Sequence, residues 1–182
     1  MTRETTTSTQ TPKKATRGTV PYEDQTISTR AIALLAGAQH ASIDVHGVGQ
    51  EGARLSLTWG TLLLGFTAVD QVNALAEAFA DSQSAAKRIP ERLDPKILGA
   101  EIVDEAYLPA ISVGFRAVPR YGVSVHTLAP GRLDSWAHRR TCLHIRLVVL
   151  LFRVLDQAAH ASTLGMLTRA ATIATATLPQ HS

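Results

Sequence analysis

The sequence predicts an α+β fold of two consecutive units, each a small antiparallel sheet followed by one helix, with sheets that can join into one. Three observations carry this. Residues 57–71 (LTWGTLLLGFTAVDQ) lie without gaps over residues 143–157 (LHIRLVVLLFRVLDQ), with Leu57/Leu143, Leu64/Leu150, Phe66/Phe152, Asp70/Asp156 and Gln71/Gln157 identical. In both copies the apolar run ends in Asp-Gln and passes into an alanine-rich stretch. Segments in which apolar and polar residues alternate precede both runs, which is the period of half-buried strands. The competing explanation of the match is two independent strand-to-helix transitions, each needing apolar residues and then a helix cap.

Residues 1–26 are rich in Thr, Ser, Lys, Arg and Gln and nearly lack large apolar side chains. Burial cannot offset their ordering entropy, so they read as a disordered tail, and they lack the apolar core of a secretory signal. The first unit is read over residues 27–88. Residues 27–35 are apolar enough for a short helix or strand, and Gly37 interrupts them. Ser42, Asp44 and His46 then alternate with Ile43 and Val45, as in a strand. Three glycines in residues 47–52 supply a turn joining two antiparallel strands.

Leu55, Leu57 and Trp59 share one parity while Leu62, Leu64 and Phe66 share the other. One continuous strand would split these large side chains between two faces. A two-residue turn at Gly60-Thr61 puts Trp59 opposite Leu62, Leu57 opposite Leu64 and Leu55 opposite Phe66, all on one side, with Ser56, Thr58 and Leu63 on the other. Asp70 is placed to cap a helix over residues 71–87 that packs through Val72, Leu75 and Phe79. Pro90, Pro95, Gly99 and Pro109 punctuate a connector over residues 89–109, with one short helix expected around 96–104.

The second unit is read over residues 110–170. Ile111, Val113 and Phe115, then Tyr121, Val123 and Val125, read as a β-hairpin across Pro119-Arg120. A loop over 127–140 follows, longer than its counterpart by about six residues in the gap-free overlay. The turn superposed from the first unit falls on Arg146-Leu147, a poor pair for a tight turn, so residues 143–154 read as one long strand. Asp156 caps a helix over 157–169 that packs through Leu164 and Leu167, and residues 171–182 read as a fraying end.

Composition narrows the function more than it names it. The formal charge is +3, with fourteen arginines against four lysines, a skew that base composition of a genome can produce without selection for a polyanion. Cys142 is the only cysteine, which excludes an internal disulfide and a cysteine-rich metal site and fits a reducing cytoplasm. The most apolar stretch, 143–155, is too short for a bilayer and contains Arg146 and Arg153, so no membrane span is expected.

Candidate chemistry is sparse. A phosphoester-processing enzyme would need paired histidines such as His46 and His126, with His144 in a third strand; in two-histidine phosphoesterases each histidine precedes a Ser or Thr by two residues, and none of these three does. Asp156 and His160, one helical turn apart, with Asp44 and His46, are the only metal ligand set worth weighing, and the cap already accounts for Asp156. Cys142 beside Arg139 and Arg140 is read as a packing residue rather than a nucleophile. No metal and no cofactor are expected.

The best candidate binding surface is Arg132, Trp136, Arg139, Arg140 and Arg146, joined by His138 and Arg153, because guanidinium forks suit phosphates and carboxylates. The leading expectation is a non-catalytic interaction or regulatory module that binds a protein partner or itself, most simply as a homo-oligomer through an edge strand. The alternative is nucleic-acid binding through the arginine group and Lys13, Lys14 and Arg17 of the tail, with affinity falling steeply as salt is added.

Overall fold

The computed structural model describes residues 31–93, 111–128, 140–147 and 149–179. The expected tail, the short helix around 96–104 and the long loop over 127–140 fall outside them, wholly or in part. The chain is α+β: β1 (Ala31–Leu35), β2 (Ser42–His46), β3 (Arg54–Trp59), β4 (Leu62–Phe66), α1 (Val69–Asp81), α2 (Gln83–Ala86), β5 (Ile111–Gly114), β6 (Tyr121–Leu128), β7 (Arg140–Leu147), β8 (Leu150–Val154) and α3 (Gln157–Thr177). The described part of the ambiguous segment before Gly37, residues 31–35, is a strand, and residues 47–52 turn β2 back antiparallel onto β3.

The β3–β4 hairpin forms as its parity switch requires. Leu55 pairs with Phe66, Leu57 with Leu64 and Trp59 with Leu62, and all six side chains are buried. Gly60 takes a φ of +55° while Thr61 does not enter the left-handed region, so the tight turn has glycine at its first central position.

The second unit repeats this hairpin rather than forming one long strand. β7 and β8 pair antiparallel, with Leu143 opposite Val154 and Ile145 opposite Phe152. The chain reverses between Leu147 and Leu150, not at Arg146-Leu147. The same parity rule explains it: Leu143, Ile145 and Leu147 share one parity, Leu150, Phe152 and Val154 the other, and all six are buried. Structural equivalents therefore fall two residues later than in the gap-free overlay. Leu57 corresponds to Ile145, Leu64 to Phe152, and Ala68, not Asp70, to Asp156.

Neither unit builds its sheet alone. The strand orders are β1-β8-β7-β6 and β2-β3-β4-β5. β1 leaves its own half to lie parallel to β8, with Ala33 opposite Phe152, and β5 lies parallel to β4, with Val113 opposite Leu64. Two expectations are corrected here. The sheets are mixed rather than antiparallel, and β5 and β6 do not form a hairpin but belong to different sheets. A parallel partner cannot be reached through a tight turn, so each half takes its fourth strand from the other.

The helices exchange in the same sense. Phe79 of α1 meets Phe152 of β8 edge-on at 5.6 Å between ring centroids, and Tyr121 of β6 donates to the Asp81 carboxylate at the end of α1. That hydrogen bond, followed by desolvation and the Asp81 and Glu77 charges, pushes the Tyr121 phenol up to about 12. In return Ser162 of α3 accepts from the amide of Gln39, whose side chain accepts from the Trp59 indole at 2.9 Å. The amide of Val69 at the start of α1 donates to the carbonyl of Pro179 beyond α3, while Gln157 and Ala158 at the start of α3 donate to Pro90 and Glu91 beyond α2. Each helix thus satisfies orphan first-turn amides with chain that follows the other helix. One continuous core includes residues of both sheets and both long helices.

The two expected aspartate caps part company. Asp156 is the N-cap of α3, fully buried, accepting from Ala159 at 2.7 Å, from Gly37 with both oxygens at 3.1 and 2.9 Å, and from Leu93 at 3.1 Å. Asp70 is not a cap: α1 starts at Val69 behind Ala68, which leaves Asp70 in the first turn, where it can act only through the helix dipole. The neighbouring Gln71 does the fastening instead, accepting from the Thr67 amide at 2.9 Å and donating to the Phe115 carbonyl at 3.0 Å. Asp156 holds the chain just after β1 and Gln71 the chain just after β5, so both exchanged strands are pinned to their host helix by different chemistry. The helix expected over 71–87 breaks at Ser82, whose hydroxyl donates to the Phe79 carbonyl. α3 continues to Thr177 because Ala170 and Ala174 are buried, where a frayed end was expected.

Candidate binding face

β-Strand alternation gives each sheet a face toward the core and a face away from it. On the β1-β8-β7-β6 sheet the outward residues form two cross-strand rows. One runs Gly122, Arg146, Leu151, Ile32 and the next Ser124, His144, Arg153, Leu34; beyond them lie His126 and Cys142. The β6–β7 side is thus polar and basic and the β1 side aliphatic. Ile32 and Leu34 are 50% and 53% exposed on β1, with Val149 also exposed beside them.

The register of the second sheet gives a comparison within the same molecule. There the equivalents of Arg146, His144 and Arg153 are Thr58, Ser56 and Gly65, and those of Ile32 and Leu34 are Ser112 and Gly114. At these five positions that face carries small side chains, with Leu63 standing where the first sheet has Leu151. Nothing in the fold requires arginine, histidine or exposed aliphatic residues at these positions, because its counterpart does without them.

His144 and Arg153 stand directly opposite one another. Three buried side-chain atoms among the described residues lack a hydrogen-bond partner, and two of them are His144 Nε2 and Arg153 Nε. His144 is 7% exposed and stacks on His126 with centroids 4.2 Å apart; His126 Nε2 shares a hydrogen bond with the Ser124 hydroxyl at 2.8 Å. Desolvation, then the positive charges of His126, Arg153 and Arg146, push the His144 imidazole down to about 4. Among the described residues no carboxylate is found acting on it.

That depression has a stability consequence. The unfolded chain protonates His144 near the ordinary histidine value, whereas the fold resists protonation until about pH 4. The associated stability is complete above the unfolded value and is lost as pH falls from there toward the folded value, by at most about 3 kcal/mol. His160, lowered mainly by burial, adds in the same direction. Urea denaturation across this range should show the loss, and His144→Asn should reduce it.

The other candidates resolve differently. Of the expected surface, Arg146 is exposed on this face, Arg140 is placed in β7 by its backbone, and Arg132, Trp136 and Arg139 lie outside the described residues. His126 finds His144 as its ring partner, not His46, which is exposed at the end of β2 opposite Arg54. His160 lies under α1: Nε2 is 3.0 Å from the Phe79 carbonyl and 2.8 Å from the Ser82 hydroxyl. A carbonyl only accepts, so Nε2 carries the proton, and Asp156 is engaged elsewhere; the two do not form a ligand pair. Cys142 is buried against Leu155, with Ala36 and Leu93 packed nearby. Burial raises its thiol pKa despite the opposing effect of Arg153, which disfavours a nucleophilic thiolate.

Sequence patterning shows His144 and Arg146 on one side of β7. It misses their aliphatic neighbours Ile32 and Leu34, because a parallel partner from the opposite end of the chain leaves no trace in local periodicity. No helix among the described residues is long and apolar enough to cross a membrane. Comparison with known proteins returns no match: neither a family model, nor a curated protein, nor a solved structure is similar to this chain.

Proposed function

We propose that the protein is a non-catalytic interaction module that associates with a second copy of itself along β1. The observation that carries this reading is the edge itself. β1 closes one side of its sheet, no strand among the described residues pairs with its other side, and Ile32 and Leu34 project from it into solvent. An unpaired edge presents backbone donors and acceptors to another chain, and exposed aliphatic side chains favour removal from water. Two copies joined edge to edge about a twofold axis would satisfy both at once, since the same surface meets itself.

Size-exclusion chromatography with light scattering tests the reading. The wild-type chain should run as a dimer, and Ile32→Glu with Leu34→Glu should halve the mass while leaving the circular dichroism unchanged. A wild-type chain that stays monomeric at high concentration, or a double variant that still dimerises, removes it.

A further inference from the structure

The basic half of the same face carries a second feature that does not depend on association of copies. A pocket of about 240 Å³ opens at the end of the sheet, lined by Arg146 and Arg153 together with Ile32, Leu147, Val149, Leu150 and Leu151. Among the described residues the lining is otherwise aliphatic, with Arg146 and Arg153 on adjacent strands of the same face. Like charges brought together in a partly desolvated site repel. A bound anion would relieve that repulsion, and guanidinium forks match a carboxylate in plane and spacing.

Among the described side chains, the charged and titratable groups on this face of β6, β7 and β8 are His126, Cys142, His144, Arg146 and Arg153, none of them a carboxylate, and β1 contributes only Ile32 and Leu34. The equivalent place on the other sheet has Thr58, Gly65 and Ser112 and could hold no anion in this way. We propose that the pocket binds a small carboxylic acid with an aliphatic body, its carboxylate between Arg146 and Arg153 and its chain over Ile32, Val149 and Leu151. The recess is of a size to take a short-chain acid.

The test is a titration of the full isotope-labelled chain with sodium hexanoate, followed by nuclear magnetic resonance at the amides of Arg146, Leu151 and Arg153 and at the Arg Nε groups. Saturable shifts confined to this face are expected. Acetate, which lacks the aliphatic body, and inorganic phosphate should each bind at least about ten-fold more weakly than hexanoate, and Arg153→Gln should weaken hexanoate by a similar factor. Because Arg146 is exposed, Arg146→Gln gives a second reading should Arg153→Gln disturb the sheet. Absence of saturation, equal response to acetate or phosphate, or unchanged hexanoate affinity in Arg146→Gln would each overturn the proposal. A wild-type monomer that binds hexanoate would separate this site from association.

Discussion

Asp156→Ala should destabilise the fold by about 4 kcal/mol, measured by urea denaturation at neutral pH. Its carboxylate accepts hydrogen bonds from Gly37, Leu93 and Ala159, and it is fully buried. Hydrogen bonds to a charged acceptor contribute about 1.5–3 kcal/mol each, and the abandoned amides would remain desolvated. Asp156→Asn, which keeps one oxygen acceptor, should recover part of the loss. Asp70→Ala should cost less than about 1 kcal/mol, because only the helix dipole speaks for it. If the two alanine variants were equally damaging, the different roles assigned to these aspartates would be wrong.

Phe152→Ala should cost about 3–5 kcal/mol, the range for truncating a buried aromatic residue. Phe152 is fully buried, stacks on Trp59 from the other sheet at 5.4 Å between centroids, and receives the edge of Phe79 from α1. The ring therefore joins three elements, two of them from the other half of the chain. Its loss should lower the denaturation midpoint of both halves together. A variant in which only β6, β7 and β8 lose protection would show that the contact with Trp59 and Phe79 does not couple them.

Much of the fold is legible in local pattern, and the limits have physical causes. The β3–β4 hairpin follows from a parity switch across Gly60-Thr61, and the same switch between Leu147 and Leu150 marks the second hairpin. There it is obscured by the gap-free overlay, whose identical Leu, Phe and Asp-Gln residues sit two positions out of structural register. The Asp-Gln pair misleads for the same reason: Asp156 caps its helix, but Asp70 enters one already begun. Each sheet's fourth strand is not legible at all, because the apolar run of β1 and the alternation of β5 carry no record of which strand they join. The binding face inherits this. Arg146 is found from β7 alone, whereas the pocket exists only once β1 lies against β8.

The exchange of strands and helices makes one structural claim from which the rest follows: the two halves cannot unfold separately. Native-state hydrogen exchange tests it most directly. The slowest amides of β3 and β4 and those of β7 and β8 should exchange with the same free energy and the same dependence on urea, through a single global opening. Two distinct isotherms, with one sheet opening while the other stays protected, would contradict it.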